Sequence, residues 1–284
     1  MPEKSTAIIS SETRLMISKH TGRTYRISIA LPYAYFEEKY PTWPFNKPLK
    51  KWPIVYLTGA NYYFGMVVDM IRSMAWCGRT TDAIIVGIGY PENSAPQEAW
   101  RDVEALRERD FSPIRDQKRE AELSKFLNRK IETGSANEFL QFIKQELIPV
   151  IESEFNVDVK RRILAGHSMA GLLTAVALFA EPGLFEGYII GSPWFWYADG
   201  IIFKQEEQFA QHHKKLKARV HLWVGELEEA HDDPAVSKLL RFESILRSRN
   251  YKGLTLTRQV FADENHCEVP APGFHASLKW LLEK

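Results

Sequence analysis

The sequence predicts an α/β fold with a mostly parallel central sheet, helices on both faces and an antiparallel strand pair at the N-terminus. From residue 53 onward, short apolar runs alternate with stretches of helical periodicity, as in strand–helix–strand units. Some runs, such as residues 82–90, are apolar almost throughout, which is typical of parallel strands covered on both faces. The length of 284 residues and the hydrophobic content of 45% fit one large domain.

The first two predicted strands differ from the later ones. They alternate in part between apolar and polar residues and are joined by a turn at residues 20–23, so we expect them to pair antiparallel. The later strands are short apolar runs, and several of them lead directly into a glycine. In chain order, the predicted strands are residues 7–17, 25–31, 53–58, 82–90, 163–165, 188–191, 220–224 and 254–261.

Helices are predicted where apolar residues recur on one side of a 3.6-residue period. The predicted helices are residues 64–76, 137–152, 172–180, 235–247 and 273–282. Residues 91–135 are the least regular part of the chain, and residues 117–130 within them are dense in charge. We expect an irregular or partly helical insertion there, or a flap.

Composition argues against several classes of protein. The net charge of +1 gives no reason to expect nucleic acid or an anionic membrane as a partner. No apolar run approaches the roughly 20 residues that span a bilayer. The N-terminus opens polar and lacks a long apolar core, so we expect no signal peptide and a cytoplasmic location.

No cofactor or metal is expected. The two cysteines, Cys77 and Cys267, form neither a disulfide framework nor a metal motif, which suits a reduced compartment. There is no P-loop, and the single Gly87-Ile88-Gly89 lacks the dinucleotide-binding pattern.

The segment Gly166-His167-Ser168-Met169-Ala170 lies between a predicted strand and a predicted helix. This layout of strand, sharp turn and helix predicts a nucleophile elbow with Ser168 at its tip. Small residues are needed beside the serine because strand and helix approach closely there. Ala170 stands where the usual pattern has glycine, and Gly171 follows it. The alternative is an ordinary turn with a capping serine.

A serine nucleophile needs a base, and in an elbow-type fold the base is a histidine near the end of the chain. His266 lies on the loop between the last predicted strand and the last helix, which makes it the candidate base. His275 is the rival, but it is predicted on the last helix. His167 adjoins the serine and is expected to point away from it.

The acid is expected on the loop after residues 220–224, which reads Gly225-Glu226-Leu227-Glu228-Glu229-Ala230-His231-Asp232-Asp233. Glu228 is favoured because a hydrolase acid most often lies three residues after the glycine. Glu226 is second, and Glu229, Asp232 and Asp233 remain open. A Ser–His dyad without an essential acid is a further alternative.

An oxyanion hole needs two N–H groups aimed at one point. Met169 would supply one as the residue after the nucleophile. The main chain of Ala60 or Asn61, on the loop after residues 53–58, would supply the other, and Gly59 lets that loop bend sharply. The alternative is an ordinary tight turn.

The sequence resembles the putative-esterase family of α/β-hydrolases, which includes the enterobactin esterases and related trilactone siderophore hydrolases. The matching segments are residues 22–27, 55–64 (VYLTGANYYF), 107–113 (RERDFSP), 139–155, 166–172 (GHSMAGL), 182–185, 192–194, 225–228 (GELE) and 265–266. Two departures are Ala170 and the pair Gly59-Ala60, where the family usually has Asp-Gly. The resemblance covers about residues 21–282 and implies an α/β-hydrolase fold with Ser168 and His266 as the core pair.

The resemblance also implies a small-molecule ester as the substrate: a siderophore ester, a simple carboxylester or an acylated carbohydrate. Trp194 and Trp196 could stack on a catecholate or acyl ring, or pack beneath the site. Arg107 and Arg109 could hold an anionic substrate or pair with nearby carboxylates. Those carboxylates are Asp102, Glu104 and Asp110.

Three functions are compatible with these residues. The first is a serine ester hydrolase with an acyl-enzyme intermediate. The second is transfer of the acyl group to an alcohol other than water. The third is a catalytically silent binding protein on the same fold, against which the intact Ser168, His266 and acidic loop argue.

Overall fold

A computed structural model describes residues 8–36, 51–92, 95–230 and 234–283. Within these ranges eight strands form one sheet, in the spatial order β1-β2-β4-β3-β5-β6-β7-β8. The strands are β1 Ser11–Ile17, β2 Thr24–Ala30, β3 Trp52–Thr58, β4 Ile84–Gly89, β5 Val157–His167, β6 Gly187–Gly191, β7 Lys215–Gly225 and β8 Lys252–Phe261. β1 and β2 are antiparallel, β2 pairs antiparallel with β4, and all remaining pairs are parallel. The predicted α/β-hydrolase fold is therefore confirmed.

The helices of the described residues are α1 Ala60–Trp76, α2 Pro96–Phe111, α3 Gln117–Leu127, α4 Ala136–Phe142, α5 Ile148–Glu154, α6 Met169–Ala180, α7 Tyr197–His212, α8 Ala235–Arg249 and α9 Pro270–Leu281. A π-helical segment, Ile143–Leu147, joins α4 to α5. None of these helices combines the length and the apolar content that a membrane crossing needs.

The sheet is buried on both faces because its strands send alternate side chains to opposite sides. In β3, Ile54 and Tyr56 belong to one hydrophobic cluster, and Val55 and Leu57 belong to the other. Helices α1 and α9 cover the second cluster, whereas α2, α4, α5, α6, α7 and α8 cover the first. The sheet is thus held rigidly between two helical layers.

Helix α6 lies at the centre of the first layer. All of its residues from Met169 to Phe179 are buried, so the helix is apolar on every side. Such a helix has no solvent-facing side to orient it, and its direction is set by packing against the sheet and the neighbouring α2 and α7. This packing fixes the residue that precedes the helix.

The structure differs from the sequence prediction in the connecting regions. Residues 91–135, expected to be irregular or partly helical, contain α2 and α3. Asp116 caps α3, accepting a hydrogen bond from the Arg119 N–H at 3.0 Å. Helix α7 was not predicted, and three residues near its start, Ala198–Gly200, have positive φ, which is not helical. Helix α1 begins four residues earlier than predicted, directly after Gly59.

Candidate active site

Ser168 lies at the sharp turn between β5 and α6. Its φ of 64° and ψ of −126° are strained for a residue with a side chain. The strain is imposed by close packing around the turn. A Cβ on Gly166 would lie 2.2 Å from the Ala170 carbonyl oxygen, and one on Gly171 would lie 2.5 Å from the Gly191 carbonyl oxygen. The positions that cannot hold a side chain are therefore Gly166 and Gly171, which explains why alanine fits at 170.

The turn presents hydrogen-bond donors beside the serine. The Ser168 N–H donates to the Gly191 carbonyl at 2.9 Å, which ties the turn to the end of β6. Met169 is the first residue of α6, so its N–H has no acceptor within the helix. The positive end of the helix dipole also lies here. The Met169 N–H is thus suited to binding an oxyanion.

The start of α1 lies close to the start of α6. Gly59 adopts a left-handed conformation with φ of 72°, and a Cβ on it would lie 3.9 Å from the Ala170 Cβ. Ala60 and Asn61 are the first residues of α1, and their N–H groups have no intrahelical acceptor. The Asn61 side chain is used elsewhere, since its Oδ1 accepts from the Tyr90 N–H at 2.8 Å. The main chain of α1 can therefore supply the second oxyanion donor.

Glu228 and His266 are in direct contact. His266 Nδ1 lies 2.5 Å from Glu228 Oε2. The other carboxylate oxygen, Oε1, accepts from the Ser192 hydroxyl and from the Gly225 N–H, both at 2.7 Å. Glu228 is only 7% exposed, so these partners fix the carboxylate in one orientation. A carboxylate at Nδ1 holds the proton there and leaves His266 Nε2 free to accept one.

The other candidate acids and the rival base are engaged elsewhere. Glu226 is exposed and its Oε2 accepts from the Asp263 N–H at 3.2 Å. Glu229 is exposed and accepts from the Ser237 N–H at 2.9 Å. Asp232 and Asp233 lie outside the described residues. His275 is exposed on α9, beside a surface groove. Of the histidines in the described ranges, His266 is the one paired with Glu228.

Ser168 and His266 lie at the same edge of the sheet, where β5 and β8 end. In the described residues no hydrogen bond joins their side chains. The His266 ring centroid lies 4.4 Å from that of His167, the residue immediately before the serine. Hydrogen bonds between catalytic groups are often long before substrate binds. The candidate base therefore lies against the residue that precedes the candidate nucleophile.

His167 and Ser192 are neighbours of the site that sequence reasoning missed. His167 was expected to point away from Ser168, and no role was predicted for it, but its ring contacts His266. Burial, together with His266 and Arg107, holds the pKa of His167 well below its usual 6.5. Ser192 belongs to the segment 192–194 that resembles the family, and no role was predicted for it, although it follows β6 at the edge where the acid is expected. That position was the one signal that could have assigned it a role.

The four predicted substrate-binding residues lie largely in internal contacts. Arg107 is buried and donates to Glu104, one of its expected partners, at 2.5 Å. Arg109 donates to the Ser135 hydroxyl at 3.3 Å. Trp194 and Trp196 are half-buried and contact each other edge to face, with centroids 5.9 Å apart. Their role as substrate contacts stays a prediction.

The described residues contain no group of three or more His, Cys, Asp or Glu side chains that could hold a metal ion. Cys77 and Cys267 are exposed thiols.

Comparison with known proteins identifies relatives along nearly the whole chain. Residues 18–281 match the family described as "Putative esterase". The ferri-bacillibactin esterase BesA of Bacillus subtilis is 30% identical over 280 residues, which cover 97% of this chain and 90% of that protein. The apo-salmochelin esterase of Escherichia coli is 26% identical over 265 residues, or 92% and 74% of the two chains.

A solved structure of similar shape is that of the BES protein from Bacillus cereus. It has a TM-score of 0.80 and 26% sequence identity, with 100% of this chain and 99% of that chain covered. The family match and the identity to BesA extend over the elbow, the acidic loop and the His266 loop. The chain therefore belongs to the putative-esterase family and is a carboxylic ester hydrolase.

Proposed function

We propose that the enzyme hydrolyses its ester through a Ser168–His266–Glu228 triad and an acyl-enzyme intermediate. The observation that carries the proposal is the arrangement of Glu228, which is buried, bound by Ser192 and Gly225, and in contact with His266 Nδ1. A buried carboxylate held in this way can orient the histidine and stabilise its charged form.

In acylation, Ser168 Oγ bonds to the ester carbonyl carbon while its proton passes to His266 Nε2. The carbonyl oxygen becomes an oxyanion, which accepts hydrogen bonds from the Met169 N–H and from the N–H of Ala60 or Asn61. The bond from carbon to the alcohol oxygen then breaks, and His266 gives its proton to the leaving alcohol. The products of this half-reaction are the free alcohol and an ester on Ser168.

In deacylation, water takes the place of the alcohol. His266 Nε2 removes a proton from the water as its oxygen bonds to the acyl carbon, and the same N–H groups bind the second oxyanion. When the bond to Ser168 Oγ breaks, His266 returns the proton to the serine. The acid product leaves and the free enzyme is restored. The two half-reactions together consume one ester and one water, and they need no cofactor.

We propose a siderophore ester or another aryl or short-acyl ester as the substrate. The names of two relatives, a ferri-bacillibactin esterase and an apo-salmochelin esterase, support the first. The aromatic pair Trp194 and Trp196 follows Ser192, the residue whose hydroxyl donates to Glu228, by two and four positions in the chain. A general carboxylesterase would instead show no preference for the siderophore.

The nucleophile can be tested with a fluorophosphonate probe and the variant Ser168→Ala. We expect Ser168→Ala to abolish labelling and to lower kcat by about 10³-fold or more, since triad members act as a unit. Ser248→Ala is the matched control, because Ser248 is exposed and only donates to the Ile245 carbonyl. Retention of more than a few per cent of activity in Ser168→Ala would remove Ser168 from the role.

The substrate can be tested separately with the unaltered enzyme. Values of kcat/KM are measured for a ferric trilactone siderophore and for aryl esters of graded acyl length. A siderophore enzyme should favour the trilactone over each aryl ester. Equal or higher values for the aryl esters would identify a general carboxylesterase while leaving the catalytic assignment intact.

A further inference from the structure

His167 is a buried histidine that the proposed mechanism does not use. It is the last residue of β5 and is 2% exposed. Its ring lies 4.4 Å from the His266 ring, centroid to centroid, at an interplanar angle of 37°. The candidate base His266 is therefore in direct contact with His167 as well as with Glu228.

His167 is itself held by a rigid neighbour. Its ring stacks on the indole of Trp223 at an angle of 11°, with centroids 5.5 Å apart. That indole cannot move sideways, because it is packed against two glycines. A Cβ on Gly191 would lie 2.1 Å from it, and a Cβ on Gly273 would lie 2.4 Å from it. The position of the His167 ring, which contacts His266, is therefore fixed through Trp223 by the sheet and by α9.

A hydrogen bond sets the rotation of the His167 ring. Its Nδ1 lies 2.9 Å from the Tyr63 hydroxyl, and the two rings meet edge to face at 88°. Its Nε2 is buried and has no hydrogen-bond partner among the described residues. A phenylalanine would fill similar space without leaving a buried nitrogen unpaired, which costs free energy. Packing alone therefore does not explain a histidine at this position.

The surroundings of His167 disfavour its charged form. Burial is the main cause that lowers the pKa of His167, and His266 and Arg107 lower it further. The groups around it are the Tyr63 hydroxyl on α1, the Arg107 guanidinium on α2, and His266 on the loop after β8. A cationic residue here would oppose the imidazolium that forms during catalysis. A neutral imidazole permits that charge and still packs against it.

We propose that His167 is a positioning residue for His266. Resting on the Trp223 indole and turned by Tyr63, its neutral ring sets the position of the His266 imidazole between Glu228 and Ser168. The proposal rests on the proposed function, since it assigns His167 a role only if His266 is the base. It predicts that changes at His167 act on the proton-transfer step more than on substrate binding.

The experiment compares His167→Ala, His167→Phe and Tyr63→Phe by steady-state kinetics and by pH–rate profiles. A misplacement of about 1 Å can cost about 10²-fold in rate, so we expect a loss of that order in kcat for His167→Ala. His167→Phe keeps a ring and should lose less. Tyr63→Phe removes only the hydroxyl and should lose least. In each variant KM should change by less than about threefold, because substrate contacts are untouched.

The pH–rate profile separates positioning from mere packing. In His167→Ala, water enters beside His266 and solvates its charged form, so the acid limb of kcat/KM should move to higher pH. His275→Ala is the matched control, since His275 is an exposed histidine on α9, and it should leave both kcat and the acid limb unchanged. The urea midpoint of each variant is measured alongside, and Tyr63→Phe keeps the test available if His167→Ala fails to fold.

Two outcomes overturn the inference and leave the proposed function standing. One is wild-type kcat in His167→Ala and Tyr63→Phe while Ser168→Ala is inactive. The other is a fall in kcat that occurs only in variants with a lower urea midpoint, while the acid limb of kcat/KM stays at the same pH as in the wild type. An active Ser168→Ala, in contrast, overturns the proposed function itself, whatever the His167 variants do.

Discussion

Replacing Glu228 by glutamine changes one atom of the site and tests its central contact. The side chain keeps its length and its Oε1, which can still accept from Ser192 and Gly225. The atom facing His266 Nδ1 becomes an amide nitrogen, which can only donate. Glu228→Gln therefore removes the negative charge and also favours the His266 tautomer whose Nε2 already carries a proton and cannot accept the one from Ser168.

The magnitude follows from the geometry of the pair. With His266 Nδ1 and Glu228 Oε2 2.5 Å apart, the two groups are adjacent. If their charge centres are about 4 Å apart, at an effective dielectric constant of about 20, two unit charges attract by about 4 kcal/mol. Since each 1.4 kcal/mol or so changes a rate about tenfold, losing this attraction lowers kcat by about 10³-fold. The unfavourable His266 tautomer lowers kcat further, so that the total loss approaches about 10⁴-fold.

The assay is the steady-state hydrolysis of a chromogenic aryl ester, with urea unfolding as the check on the fold. Glu226→Gln is the matched control on the same turn. Because Glu226 is exposed, we expect less than about a threefold change in kcat from its replacement. If Glu228→Gln retains kcat within tenfold of the wild type and unfolds normally, the triad is refuted and a Ser168–His266 dyad remains.

Two further predictions concern stability. Gly191→Ala places a Cβ 2.1 Å from the Trp223 ring and should lower the free energy of unfolding by about 3 kcal/mol. Gly65→Ala, at a helical site where the Cβ would lie 3.7 Å from the nearest atom, Ile8 Cδ1, should not lower it, and urea unfolding measures both. Burial lowers the pKa of His221 from 6.5 to about 4. The unfolded chain thus binds a proton at His221 before the folded one does. Relative to His221→Gln, wild-type stability should be constant above pH 6.5 and fall by up to about 3 kcal/mol toward pH 4; a constant difference contradicts a buried neutral histidine.

The choice of Glu228 shows what the sequence could predict about the site. Five carboxylates follow Gly225, and the position three residues after the glycine favoured one of them. The structure gives the physical reason for that spacing. Residues Glu226–Glu228 form a single 3₁₀ turn, which brings the Glu228 carboxylate back to the Gly225 N–H. A local rule of this kind can be read from sequence, because both partners lie within one turn.

Contacts between distant segments could not be predicted in the same way. Ser192 and Glu228 are 36 residues apart, and Tyr63 and His167 are 104 residues apart. Their contacts depend on the order of strands in the sheet and on the rotation of each side chain, neither of which leaves a periodic signal. The contact of His167 with His266 was missed for this reason, since the position of His167 next to Ser168 indicates only that the two side chains point in different directions.

The loops of the site are connected to one another by backbone hydrogen bonds just beyond the strand ends. The Ser168 N–H donates to the Gly191 carbonyl, and the Ser192 N–H donates to the Trp223 carbonyl. The Leu227 N–H in turn donates to the Glu264 carbonyl, two residues before His266. These bonds extend the pairing of β5, β6, β7 and β8 into the turns that carry the proposed nucleophile, acid and base.

This connection explains how short loops can hold charged groups in fixed positions before a substrate arrives. β6 lies between the strand that leads to Ser168 and the strand that leads to Glu228, and Gly191 at its end and Ser192 after it contact both sides. A change at this strand end should therefore disturb Ser168 and Glu228 together. Because catalysis by preorganised groups requires no rearrangement during the reaction, we expect these hydrogen bonds at the sheet edge to contribute to the rate of the proposed mechanism.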